Sequence, residues 1–209
     1  MSFYADRIFP YVLDWATKPL AQQRQKMIGL ARGKVLEIGV GTGANLPFYS
    51  AEVKEVIAIE PGQPMLDKAH AFLANSDVKI KVNLQLGDAH KLNFANESFD
   101  TVVVCLVLCT IPDAERALKE VRRVVKTGGK VIFLEHVRAD SAQLAKLQDW
   151  VTPAWKHLAC GCHLNRDTEA LFERCGFQFE QIARYRHPDM PALAGAIIEG
   201  VAIKPATVA

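Results

Sequence analysis

Glu37-Ile38-Gly39-Val40-Gly41-Thr42-Gly43 sets one carboxylate and three glycines at alternate positions, directly after the strand-like run Lys34-Val35-Leu36. A glycine-rich turn after a first strand lets backbone approach a ligand that a side chain would block. Further polar groups follow in order. Glu60 closes the apolar run Val56-Ile57-Ala58-Ile59, where a carboxylate can accept from both hydroxyls of a ribose. Asp88, after Val82 to Leu86, can accept from an adenine amino group, with Ala89 offering its backbone amide. Cys105 and Leu106 would line the far side. Two ligand classes compete for such a turn. A dinucleotide needs amides at a helix N-terminus for its pyrophosphate, usually written G-x-G-x-x-G. Here the third glycine comes one place early, at Gly43, and position 44 is Ala. Glu37 also opposes a pyrophosphate but suits an ammonium or sulfonium, so the charge pattern favours a cationic amino-acid nucleoside.

The elements that must carry these groups alternate along the chain. Val35 to Ile38, Val56 to Ile59, Val82 to Leu86, Thr101 to Leu108 and Lys130 to Val137 read as strands. The fourth is continuously apolar, as a parallel strand buried on both faces should be. Met65, Leu66, Ala69, Phe72 and Leu73 recur at helical spacing. Asp113 is placed to cap a helix with apolar positions Ala114, Ala117, Leu118, Val121, Val124 and Val125, ended by Gly128-Gly129. The alternation predicts a doubly wound α/β sheet. Beyond it, Ser141 to Ala159 reads as helical with a break at Pro153, and Phe177 to Tyr185 and Gly195 to Ile203 read as closing strands. No repeat or linker divides the chain. One domain over 1–209 is expected, with a helical lid over 1–30 and a substrate-side helical segment over 138–170.

Composition narrows the partners. The 209 residues are half hydrophobic, enough for a core without metal or disulfides. Twenty-five basic against 23 acidic residues leave a net charge of +2, which gives no electrostatic case for nucleic acid. Five cysteines, Cys105, Cys109, Cys160, Cys162 and Cys175, cannot all pair within the chain, so a reducing, cytoplasmic location is expected. No run reaches the ~18 apolar residues of a membrane span. Phe3, Tyr4, Ile8, Tyr11, Val12 and Trp15 form a helical stripe broken at Pro10. A lid or a core-packing helix is the expected use of this stripe, with peripheral membrane contact as the alternative.

Taken together, these pieces resemble a class I S-adenosylmethionine-dependent methyltransferase of the small-molecule type. The resemblance rests on Glu37-x-Gly39-x-Gly41-x-Gly43, Glu60-Pro61 with Met65, Gly87-Asp88-Ala89, Phe94 through Ser98-Phe99-Asp100, and Glu120-Val121-x-Arg123-Val124 running into Gly128-Gly129. It covers roughly residues 30 to 137. It implies a Rossmann-like seven-stranded sheet of order 3-2-1-4-5-7-6 with the last strand antiparallel. It also implies S-adenosylmethionine as cofactor, with Glu37 and the glycines at its methionine moiety, Glu60 at the ribose and Asp88 at the adenine. Asn45, Pro61, Met65, Ala89, Cys105 and Leu106 complete the expected cofactor site. A nicotinamide dehydrogenase fits less well, because of Gly43 and the Gly87-Asp88 element. A non-catalytic binder is the third reading.

A narrower resemblance lies in the second half. Phe133-Leu134-Glu135-His136-Val137, Trp150 to Trp155 and Gly161-Cys162-His163-Leu164-Asn165-Arg166-Asp167-Thr168 are similar to the methyltransferase-like thiol S-methyltransferase group, as are Gly43-Ala44-Asn45-Leu46 and Val107-Leu108-Cys109-Thr110. This implies a thiol sulfur as methyl acceptor. An oxygen or nitrogen acceptor, such as a lipid headgroup or a quinone-like molecule, is the alternative. His136, after the fifth strand, is the expected base or orienting group, unless it only bonds Glu135 or a loop carbonyl. Arg166 is expected either to hold a substrate anion or thiolate, or to pair with Asp167 or Glu169. Cys160, Cys162, His157 and His163 lack the paired spacing of a structural zinc site, and packing is their expected use. Trp150 and Trp155 are expected to wall an apolar pocket or pack a helix. His70 and His90 are expected to be solvated.

Overall fold

The computed structural model describes residues 3–206. Seven strands form one sheet: β1 (Gly33–Ile38), β2 (Val53–Glu60), β3 (Lys81–Leu86), β4 (Phe99–Cys105), β5 (Val125–His136), β6 (Gln178–Arg186) and β7 (Ala196–Ile203). Their order is β3-β2-β1-β4-β5-β7-β6. The first five are parallel, and β7 runs antiparallel between β5 and β6. The expected doubly wound topology is thus observed. Helices α1 (Phe9–Thr17), α2 (Ala21–Ile28), α3 (Gln63–Ala74), α4 (Ala114–Val124), α5 (Ala142–Leu158) and α6 (Thr168–Arg174) complete it, with a π turn over Tyr4–Ile8 ahead of α1.

Side chains alternate across a strand, and the two faces bury separate cores. Leu36, Val102, Val104 and Phe133 pack with α4 and α6 residues such as Leu118 and Phe172. Val35, Val103, Ile132 and Leu134 pack with α2 and α3 residues such as Met27 and Leu66. Asp113 caps α4 by accepting the Arg116 amide at 3.0 Å, and the expected apolar positions of α4 are buried.

Several details differ from expectation, the clearest for local reasons. The fourth strand stops at Cys105 rather than Leu108, because Leu106 adopts φ 56° and turns the chain off the sheet. Helix α4 ends at Val124, where Val125 is already extended and pairs with Phe99. Gly128-Gly129 therefore lies inside β5, with the Gly128 amide donating to Lys204 O at 2.8 Å. Helix α5 passes through Pro153 without breaking. Pro153 sits on the exposed side, where water can take the carbonyl that proline leaves unbonded.

The N-terminal stripe is not core. Phe3, Tyr11 and Trp15 are 75%, 65% and 77% exposed, whereas Leu20, Met27 and Ile28 supply the buried contacts. The segment is tied down by polar bonds instead. Tyr4 Oη donates to Leu158 O at 2.8 Å, Thr42 Oγ1 in the glycine turn donates to Asp14 at 2.7 Å, and Lys68 lies over the Tyr11 ring. Among the described residues, no helix is long and apolar enough to cross a membrane. All five cysteines are free thiols.

Candidate active site

The glycine turn leaves β1 at the carboxyl edge of the sheet. Gly39, Gly41 and Gly43 all have positive φ, at 68°, 58° and 92°. Gly39 must be glycine on a second count, since a Cβ there would run into Val107. At Gly41 the added Cβ would meet nothing closer than Met65 Cε at 3.9 Å, so its missing side chain leaves open space. Glu60 borders that space. Its Oε2 accepts the Gly41 amide and its Oε1 the Gly62 amide, each at 3.1 Å. Burial raises the Glu60 pKa, against the pull of the two amides. Pro61 is exposed beside it, and Met65 lies in the first turn of α3.

Glu37 is fully buried beneath the turn. Asn45 Nδ2 donates to its Oε1 at 2.7 Å and Tyr49 Oη to its Oε2 at 2.8 Å. Arg24, from α2, donates in turn to Asn45 Oδ1 at 2.7 Å and reaches Cys105 Sγ at 3.7 Å. Burial raises Glu37, while Tyr49, Asn45 and the Arg24 charge pull it down. Arg24, Asn45, Glu37 and Tyr49 therefore form one buried polar chain that fixes the floor of the site. Arg24 and Tyr49 were not identified from sequence. Tyr49 carries no motif. Arg24 is a charge in a short helix, and only its burial marks it.

Asp88 follows β3 at the same edge. Its Oδ1 accepts the His90 amide at 2.9 Å and faces His90 Nδ1 at 2.6 Å, and these contacts, the backbone one first, lower its pKa. His90 is thus not a solvated bystander, since its Nε2 also meets the Asp113 amide at 3.4 Å. His70 is exposed as expected, and Ala89 is buried. The Cys105 thiol is pushed up to about 11 by burial, so it is neutral near pH 7.

The far side is built around Glu135, at the end of β5. Its buried carboxylate accepts the amides of Val107 at 2.8 Å, Leu108 at 2.9 Å and Cys109 at 3.2 Å. Arg166 grips the same loop, its Nη1 donating to Leu108 O and Ile111 O and its Nη2 lying 3.1 Å from His163 Nδ1. It pairs with neither Asp167, which caps α6, nor Glu169, which pairs with Arg184. His136 is buried, with Nε2 2.9 Å from Cys162 Sγ and Nδ1 lacking a partner. Cys109, His136 and Cys162 bring one ligand atom each within 4.8 Å of one another. The Cys162 thiol is held well above its ordinary range, first by its hydrogen bond to Cys109 and then by burial. Trp155 Nε1 donates to Cys162 Sγ at 3.4 Å, whereas Trp150 is 81% exposed and packs neither a pocket nor the core.

The chain is similar to known proteins. A family model described as a methyltransferase domain matches residues 36–133. The thiol S-methyltransferase TMT1B of Rattus norvegicus is 34% identical over 173 residues, spanning 81% of this chain and 70% of that protein. A phosphatidylethanolamine N-methyltransferase of Cereibacter sphaeroides is 37% identical over 116 residues, 56% of this chain and 57% of its own. The solved structure of a SAM dependent methyltransferase from Aquifex aeolicus superposes with a TM-score of 0.65 at 16% identity, covering 94% of this chain and 96% of the other. A sheet of order 3-2-1-4-5-7-6, together with the match to a methyltransferase domain and to a thiol S-methyltransferase over most of the chain, defines a methyltransferase. The chain belongs to the class I S-adenosylmethionine-dependent methyltransferases, and its cofactor is S-adenosylmethionine. The residues present fit that group, since the open space over Gly41 is bordered by the Glu60 carboxylate.

Proposed function

We propose that this methyltransferase transfers the methyl group to the sulfur of a small, apolar thiol. The observation that carries the reading is the buried His136–Cys162 contact, 2.9 Å long, at the carboxyl edge of β5. It stands in the Glu135-His136 and Gly161-Cys162 segments that resemble the thiol S-methyltransferases, and the long match to TMT1B supports it. The cofactor, when bound, supplies a methyl group on a sulfonium leaving group. The chain's residues then bind, orient and exclude water. Glu60 accepts from the ribose hydroxyls, Asp88 and the Ala89 amide meet the adenine, and the glycine turn lies along the methionine moiety. Glu37 acts through Asn45, which it fixes from below. Pro61, Met65, Cys105 and Leu106 line the site, and of the expected lid the described residues 3–17 serve that role, tied to the glycine turn through Asp14 and Thr42.

A thiol is far more acidic than the matching alcohol, with free cysteine at about 8.5, so it needs less help to lose its proton. His136 meets Cys162 through Nε2 and is buried, so it acts as an orienting group that fixes the wall of the acceptor site. Alignment for in-line displacement supplies much of the remaining acceleration. Arg166 holds the Leu108–Ile111 loop that faces the acceptor. The second reading is O- or N-methylation of a lipid headgroup or a quinone-like small molecule, and the match to the phosphatidylethanolamine enzyme supports its nitrogen arm. Labelled S-adenosylmethionine offered with an alkyl thiol, its alcohol and its amine in parallel separates the two. Label in the thioether alone supports the thiol reading, and label in the amine or ether product overturns it.

A further inference from the structure

Cys109, His136 and Cys162 reach one point from three separate segments: the loop after β4, the end of β5 and the turn between α5 and α6. All three are buried. Two sulfurs and one imidazole nitrogen, with no carboxylate among them, are a soft donor set that selects thiophilic d10 cations over magnesium or calcium. Two cysteines and a histidine with a fourth position open is a donor set found in catalytic zinc sites, whereas structural sites close all four. We propose that these three residues bind one zinc ion.

Four features favour a cation over simple packing. The site is held before any cation arrives. Glu135 fastens Cys109 through its backbone amide, and Arg166 fastens the same loop through Leu108 O and Ile111 O. An outer donor is present, Trp155 Nε1 at 3.4 Å from Cys162 Sγ, of the kind that steadies ligating sulfur. Charge also balances. Two thiols lose two protons as the ion binds, so Zn2+, two thiolates and a neutral imidazole sum to zero. A neutral cluster is the form that burial tolerates. The geometry, finally, is close to what the ion requires. Zinc bonds of about 2.0–2.1 Å to nitrogen and about 2.3 Å to sulfur set donor separations near ~3.5 Å. The three donors already lie within 4.8 Å of one another, and the 2.9 Å between His136 Nε2 and Cys162 Sγ must widen only slightly.

Of the residues the sequence weighed for zinc and assigned to packing, only Cys162 joins this cluster. Cys160 is only partly buried, His157 is exposed, and His163 is engaged with Cys109 O and Arg166. Bound there, the ion would tie the loop after β4, the end of β5 and the turn between α5 and α6 to one point. The zinc proposal does not rest on the identity of the methyl acceptor.

The test uses the full chain, purified under reducing conditions, stripped of metal and titrated with Zn2+ against a chromophoric chelator, then separately with Co2+. The expected result is one ion per chain and a thiolate-to-cobalt charge-transfer band. Cys109→Ser, Cys162→Ser and His136→Ala should each weaken zinc binding at least tenfold, while Cys160→Ser should not. Circular dichroism checks that each variant is folded, and the wild-type stoichiometry and cobalt band stand whether or not one unfolds. No binding by the reduced wild-type protein, no charge-transfer band, or unchanged affinity in the three folded variants overturns the proposal.

Discussion

The Glu135 carboxylate and the backbone amide of Cys109 lie 3.2 Å apart, and this bond sets where the far wall of the site stands. The same carboxylate takes the Val107 and Leu108 amides, so three donors of one loop converge on a single buried anion. Glu135→Gln keeps the shape but turns an amino group toward a backbone N–H. It should destabilise the protein by about 2–4 kcal/mol, through weakened charge-assisted bonds and one buried donor left unpaired. Urea denaturation measures this, and an unchanged midpoint would contradict the role assigned to Glu135.

Glu60 gives a prediction with a pH sign. Burial raises its pKa above the ordinary 4.5, and in the proposed site the ionised form is the one that would accept from the ribose. Cofactor affinity should hold at neutral pH and fall as pH drops through that raised value. Glu60→Gln should bind more weakly and lose this inflection. Glu60→Ala should cost ~1.5–3 kcal/mol of binding free energy. Calorimetric titration across pH reads both, and a flat profile in the wild type would count against the ribose assignment.

Gly39 and Gly41 should separate stability from binding. Alanine at either pays roughly 1–2 kcal/mol for its left-handed backbone. Gly39→Ala also collides with Val107 and should melt at the lower temperature. Gly41→Ala meets open space, so it should fold yet lose cofactor affinity, because its methyl group occupies the cradle. Wild-type affinity in Gly41→Ala would show that the cofactor passes elsewhere.

Arg24 and Glu37 should be energetically coupled through Asn45. Arg24→Met leaves the buried Glu37 carboxylate without its counter-charge and should destabilise by about 2–4 kcal/mol. Adding Glu37→Gln should recover at least about 1 kcal/mol of that loss. Strict additivity in this double-mutant cycle would mean the two do not interact.

What sequence revealed and what it hid follow from where each signal resides. Glu37, the three glycines, Glu60 and Asp88 are read from strand-end positions, because a doubly wound sheet brings its strand ends to one edge. The strand order came from the family resemblance, since periodicity alone cannot order parallel strands. Leu106 was read as strand because its apolar character continues the β4 run, and only its positive φ shows the turn. Arg24, Tyr49 and the Cys109–His136–Cys162 cluster join residues far apart in the chain, so local spacing carries no trace of them. The exposed stripe of Phe3, Tyr11 and Trp15 has helical periodicity, which marks an apolar face without saying what covers it.

The central claim is that sulfur is the accepting atom. Its most direct measurement is one small molecule carrying a thiol, a hydroxyl and an amine, incubated with the enzyme and methyl-labelled S-adenosylmethionine, with the product resolved by mass spectrometry. The account predicts a labelled S-methyl thioether, with the hydroxyl and amine untouched. Label on nitrogen or oxygen while the thiol stays free would contradict it.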